Sequence, residues 1–239
     1  MSDLIVYNNC IDGIKWYHKV TDNTFNENES EIISSYFKNF DELHSEENWI
    51  RYSDGYKLDI IGYTAIVFFP NTSRWTDVIQ ALLDNTCGAK KFYGNKKDYM
   101  VALELAVTKP KYKYDWHVDV PRKAFTGVCY WGNSGEGTIL KSKDTHKIVE
   151  WKHNRAVWFG NYDRNNPIDE SLVPVHKYEN NSDNIRATVN INFTPQQHIN
   201  EFLTKKKEQL DFWLKNKTPL WVPMITAKTK TGWDNNGRI

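Results

Sequence analysis

The chain of 239 residues has little cysteine, almost no net charge and no long apolar run, and each shortage excludes a class of protein. Its three cysteines, Cys10, Cys87 and Cys129, stand far apart with no CxxC pair. Neither a disulfide framework nor a zinc ribbon is expected from them. Lys+Arg 31 against Asp+Glu 30 leaves a net charge of +1. A duplex-DNA binder neutralises phosphates with a basic excess or stripe, and the one dense basic run, Lys205 to Lys207, reads as the solvated face of a helix. Duplex nucleic acid is therefore not an expected partner. No stretch approaches the ~18 consecutive apolar residues of a membrane span. The longest candidate, Ile60 to Phe69, is interrupted by Gly62 and Thr64. The first residues show neither a basic n-region nor an apolar h-region, so no secretory signal and no membrane anchor are expected, and a reducing cytoplasm is the default location. What is present is a folded composition, 40% hydrophobic and 26% charged, carrying 10 Trp, 13 Tyr and 11 Phe. That Trp content is about three times an average share, so the use of the aromatics becomes the first question.

Helical flanks surround a β-rich middle. Residues Glu29 to His44 place Ile32, Ile33, Tyr36, Phe37, Phe40 and Leu43 at helical spacing. Ser73 to Cys87 reads as a second helix with Ser73 as N-cap. A third is expected from Phe193, with Thr194 as cap, Pro195 in the first turn and Gln197 as capping-box partner, running to about Lys215. The polar tail from Thr226 reads as an extended arm. Between the flanks lie short β-branched or aromatic runs separated by Gly, Asn, Asp and Pro clusters, with no helices among them. The expected architecture is mainly β: a jelly roll, or double-stranded β-helix, at 100–193, with a helical and strand-containing flank at 1–99 and a C-terminal helix and extended tail at 194–239 packed on it as one unit. The cleanest strand, Arg186 to Phe193, alternates Ala187, Val189, Ile191 and Phe193 against Arg186, Thr188, Asn190 and Asn192. Its polar face either meets water or lines a polar cavity.

The chemistry begins at His117 and Asp119, which project to the same side of an extended strand and can reach one metal. Such an HxD pair is weak alone, since a chain with seven His has about an even chance of one by accident. His44 and Glu46, an HxE pair in an acidic surface helix, read as such an accident. More comes from His176, in the strand-like run Val173 to Tyr178, and from Arg186, ten residues further on with Thr188 on the same face. Two His and a carboxylate suit non-haem Fe(II) with open coordination positions. An Arg beside a hydroxyl can clamp a carboxylate by charge-assisted hydrogen bonds. Each has an ordinary structural explanation by itself, His176 as a satisfied barrel histidine and Arg186 as a surface charge. Order, spacing and strand context together favour a site.

From about Met100 to Phe193 the chain resembles the 2-oxoglutarate/Fe(II)-dependent oxygenases, most of all their prolyl-4-hydroxylase-like branch. The matching segments are Trp116 to Asp119, Phe125 to Tyr130, the turn Gly135 to Thr138, Asn154 to Phe159, Val175 to Lys177, and Arg186 to Thr188. The resemblance implies that His117, Asp119 and His176 bind Fe(II) and that Arg186, helped by Thr188, holds the distal carboxylate of 2-oxoglutarate. It further implies that O2 is the oxidant, that succinate and CO2 are released, that ascorbate stimulates, and that a C–H bond is hydroxylated on a protein residue such as proline or on a small molecule. A Tyr that the family commonly carries upstream of the HxD has no counterpart, because Val107 and Thr108 stand there. Tyr130 is the candidate to supply that phenol. Glu136 inside the Gly turn is a second departure. Trp116 and Trp131, next to the expected iron strands, are candidates for the substrate mouth, with jelly-roll packing as the alternative. A non-catalytic jelly-roll module and a nucleobase-modifying oxygenase, in which aromatics stack on a flipped base, are the competing readings.

Overall fold

The alternating segment of the sequence becomes an inner strand of the larger of two facing sheets. The computed structural model describes residues 5–11, 14–43, 49–53, 56–69, 74–85, 99–117, 119, 123–133, 135–142, 145–160, 175–226, 228–229 and 232–233. In chain order the strands are β1 (Ile5–Ile11), β2 (Ile14–Thr21), β3 (Ile50–Ser53), β4 (Tyr56–Val67), β5 (Tyr99–Thr108), β6 (Lys113–His117) and β7 (Phe125–Trp131). They continue with β8 (Thr138–Ser142), β9 (Thr145–Val149), β10 (Ala156–Gly160), β11 (Val175–Glu179), β12 (Arg186–Pro195) and β13 (Val222–Thr226). A short ribbon of β14 (Lys228–Thr229) and β15 (Gly232–Trp233) follows. The helices are α1 (Glu27–Leu43), α2 (Arg74–Asn85), α3 (Ile199–Lys205) and α4 (Lys207–Asn216). None of the described helices is long and apolar enough to cross a membrane.

The larger sheet runs β1-β2-β10-β7-β12-β5-β4-β13, with β3 on β4, and the smaller runs β6-β11-β8-β9. From β5 onward the chain passes between them: β5 in the larger, β6 in the smaller, β7 in the larger, β8 and β9 in the smaller, β10, β11 and β12 alternating again. This antiparallel winding is the double-stranded β-helix, and the fold is mainly β with flanking helices. Strands from both flanks extend the same sheet, since β2 pairs with β10 and β13 with β4.

Side-chain alternation divides the interior. On β7, Phe125, Cys129 and Trp131 enter the large cluster under the helices, with Phe25, Phe37, Trp75 and Trp158. Tyr130 faces the opposite way, between the sheets, with Leu140, Val149, Val157 and Phe159. Close approach requires glycine at several positions, Gly127 and Gly137 among them. A Cβ on Gly127 would lie 2.5 Å from the Trp158 ring, and one on Gly137 would lie 1.6 Å from the Val149 carbonyl.

Helix α1 starts two residues before the expected Glu29 because Asn26 and Glu29 form a reciprocal capping box. The Glu29 amide donates to Asn26 Oδ1 and the Asn26 amide to Glu29 Oε2, both at 3.0 Å. Ser73, the expected cap of α2, lies outside the described residues. The third helix departs from expectation. Thr194 is fully buried in β12 and Pro195 pairs with Tyr99, so the strand outruns the capping signal. Pro195 has extended backbone, and a 3-10 turn over Gln196–His198 then leads into α3. Ten paired residues along β5 outweigh a local cap worth about 1 kcal/mol.

Candidate functional site

Between the sheets opens a cavity of about 260 Å³, lined from β6 and β11 on one side and from β5 and β12 on the other. The polar face of β12 lines it rather than meeting solvent: Arg186, Thr188 and Asn190 face the cavity, and Arg186 is only 4% exposed. The smaller sheet covers that face.

His117 ends β6 and stands directly opposite His176 on β11 in the antiparallel register. Their ring centroids are 4.2 Å apart. Asp119, two residues beyond, brings Oδ1 to 4.0 Å from His176 Nε2. One donor atom from each of His117, Asp119 and His176 lies within 4.8 Å of the other two, so a single ion can gather all three. His117 Nδ1 sits 2.8 Å from the Asp115 carbonyl, a contact that places the proton on Nδ1 and leaves the Nε2 lone pair for a ligand. Burial lowers the pKa of this imidazole, so it is neutral near pH 7. Burial works against ionisation of Asp119, but Lys123, the two imidazoles and Thr126 outweigh it and hold the carboxyl at about 2. A neutral imidazole and a carboxylate are the protonation states that metal ligation needs.

Arg186, at the head of β12, lies at the other end of the cavity. Its Nε donates to the Glu136 carbonyl at 3.3 Å, and its guanidinium stacks 4.1 Å from the Tyr178 ring centroid and 5.6 Å from that of Trp151. Glu136, the departure inside the Gly turn, thus contributes its backbone to Arg186 while its carboxylate accepts from Asn181 Nδ2. Among the described residues no carboxylate forms an ion pair with Arg186. Among the described residues this buried cation is faced by aromatic rings and one carbonyl, which makes it a ready anion site.

Tyr130 does not line this cavity but lies behind its wall at Thr138. Its hydroxyl accepts from the Thr138 amide at 2.8 Å and donates to the Val149 carbonyl at 3.4 Å, deep between the sheets. Two other phenols line the wall, Tyr178 and Tyr114. Tyr178 follows His176 by two residues and so shares its face, with burial pushing its pKa up to about 12. Tyr114 is three residues before His117, yet faces the same way because β6 carries a bulge. Two steps on β11, His176 to Tyr178, span three on β6, His117 to Tyr114. The Tyr178 and Tyr114 rings stack at 5.7 Å. Burial raises both pKa values, so both phenols keep their protons and remain donors.

Neither tryptophan stands at the mouth. Trp131 is 5% exposed on the helix side of the larger sheet, stacked on Phe37 at 6.1 Å. Trp116, adjacent to His117, points to the opposite face of the smaller sheet. There it stacks on His146 at 5.3 Å, with Lys177 Nζ 4.8 Å from its ring centroid. The cavity wall includes instead Thr64 and Met224. His44 lies outside the described residues.

No family model matches the chain, and no curated protein matches it. Solved structures do resemble it. A putative oxygenase from Shewanella oneidensis aligns at TM-score 0.50 and 11% identity, covering 81% of this chain and 90% of its own. A prolyl-4-hydroxylase from Pseudomonas putida aligns at TM-score 0.46 and 11% identity, covering 74% of this chain and 92% of its own. A viral collagen prolyl hydroxylase from Paramecium bursaria Chlorella virus-1, in complex with 2-oxoglutarate, aligns at TM-score 0.43 and 16% identity, covering 74% and 96%. At these identities the likeness is one of fold.

Proposed function

We propose that the chain is a 2-oxoglutarate- and Fe(II)-dependent dioxygenase that hydroxylates a C–H bond of a protein residue or a small molecule. The observation that carries the reading is the pairing, in one cavity, of a His-Asp-His donor set with a buried guanidinium that no carboxylate neutralises among the described residues. The donor set fits Fe(II), which prefers two imidazoles and one carboxylate on one face. The Arg186 end fits a dicarboxylate, whose far carboxylate would take the place of the absent counter-ion.

In this reading His117, Asp119 and His176 hold the metal. Arg186 and Thr188 receive the distal carboxylate of 2-oxoglutarate, and Tyr178, rather than Tyr130, supplies the phenol donor beside it. When bound, Fe(II) supplies O2 activation, and the balance is 2-oxoglutarate plus O2 plus R–H giving succinate, CO2 and R–OH. The protein's share is orientation and exclusion of water. The two sheets keep the ligand positions apart from solvent, and Phe159 packs on the His176 ring at 4.6 Å to fix its plane.

Anaerobic Fe(II) loading of the full chain tests the ligand assignment. The wild-type chain is expected to retain about one equivalent, H117A none, and H44A as much as wild type. Equal loading of H117A and H44A would remove the assignment.

A further inference from the structure

The carboxylate of Asp119 is held on one side only. Thr126 Oγ1 donates to its Oδ2 at 3.0 Å, and Lys123 Nζ stands 3.9 Å from the same oxygen. Oδ1 is the oxygen turned toward His176 Nε2. Behind Thr126 lies a chain of buried polar groups that the dioxygenase reading leaves without a role. Asn192 Oδ1 is 3.5 Å from Thr126 Oγ1, and Asn192 Nδ2 donates to Glu104 Oε2 at 3.4 Å. Glu104, 9% exposed, binds Lys206 Nζ through Oε1 at 3.1 Å and has Lys123 Nζ 3.6 Å from Oε2. Lys206 is the single residue between α3 and α4, where the helix breaks. A buried carboxylate is costly unless paired, and Glu104 has two ammonium partners, one at the site and one from the C-terminal helices.

We infer that Thr126 and Lys123, the latter held in place by Glu104, form a positioning relay that occupies Asp119 Oδ2, presents Oδ1 to the metal, and ties that ligand through Glu104 and Lys206 to the C-terminal helix pair. The inference rests on the metal reading of the previous subsection. Its physical basis is that a monodentate carboxylate needs its second oxygen engaged, or it rotates and competes for a second coordination position. Outer partners of this kind are worth about 10–100-fold in metal affinity. The relay also gives α3 and α4 a role at the site. Lys206 and Glu104 are 102 residues apart in the chain, yet they join the helices to the strand that faces the metal ligands.

The test is Mn(II) affinity of the full-length chain, read from the free-ion electron paramagnetic resonance signal, which needs no turnover. T126V is expected to weaken binding about tenfold or more, and E104Q several-fold, whereas T126S retains the hydroxyl and binds within about twofold of wild type. Folded T126V and E104Q with wild-type affinity would overturn the relay and leave the metal centre standing. Equal losses in T126V and T126S would assign the effect to packing and also overturn it. Failure of the wild-type chain to take Mn(II) would overturn the metal centre itself. If T126V does not fold, E104Q reads the same relay from its far end.

Discussion

Replacing Arg186 by methionine is expected to remove 2-oxoglutarate binding while leaving the ligand-free protein at least as stable as wild type. The two effects have opposite signs because the guanidinium is buried ahead of its ligand. In the free protein it is 4% exposed, with one carbonyl at 3.3 Å and the Tyr178 and Trp151 ring centroids at 4.1 and 5.6 Å around it. Burial lowers its pKa, which marks the cost of holding the charge there, and Tyr178 and Tyr130 offset only part of it. An apolar side chain of similar length removes that cost, and such replacements of buried charges are neutral or stabilising by about 1–4 kcal/mol. Binding goes the other way. Loss of one member of a buried, hydrogen-bonded charge pair costs about 2–5 kcal/mol, or roughly 30-fold to several thousandfold in affinity. Thermal unfolding of Mn(II)-loaded protein with and without 2-oxoglutarate reads both effects. Wild type should gain in melting temperature with the co-substrate by linkage, and R186M should start no lower and gain nothing. An equal gain in both proteins would place the dicarboxylate elsewhere.

Trp158→Ala is expected to produce the largest loss of stability among single substitutions in the described core, about 3–5 kcal/mol. Trp158 is fully buried on β10. Its ring lies against Gly127 of β7, and its Nε1 donates to Thr21 Oγ1 of β2 at 2.8 Å. The side chain therefore joins the N-terminal strand pair to the jelly roll, and its removal leaves a cavity at the junction and takes one of two partners from the Thr21 hydroxyl, which keeps Thr24 Oγ1 at 3.0 Å. At about 2–4 °C per kcal/mol for a chain of this size, the melting temperature should fall by roughly 6–20 °C. A fall of less than about 3 °C would mean that the N-terminal strands add little to the core. Most of the tryptophan excess has this kind of explanation: Trp75, Trp131, Trp158 and Trp213 are all buried in the main cluster.

The site was partly legible because two of its features are local. The alternation of Arg186 to Phe193 gave β12 its two faces, and the HxD pair and His176 sat on runs with strand character. Elementary strand parity fixes two further side chains. Trp116 must face away from its neighbour His117, and Tyr178 must share the face of His176, so the outward tryptophan and one cavity phenol follow from spacing alone. Tyr114 does not, because the bulge on β6 shifts its parity by one and nothing in the segment Lys113 to Asp119 announces it. The first two strands leave little trace in the sequence for a different reason. β1 is an edge strand, and β2 is set by pairing with β10, more than 130 residues away. Long-range polar pairs such as Glu104 with Lys206 leave no periodic trace at all. The misread helix start at Thr194 shows a local signal overruled by pairing along the whole of β12.

The most direct measurement is succinate formation from 2-oxoglutarate by the purified, Fe(II)-loaded full chain in air, without any prime substrate. Slow, Fe(II)-dependent succinate production that is absent in H176A and R186M is the expected result. No succinate from a chain shown to hold Fe(II), or production unchanged in H176A, would contradict the assignment of the His117, Asp119 and His176 cluster as the centre of a 2-oxoglutarate-dependent dioxygenase.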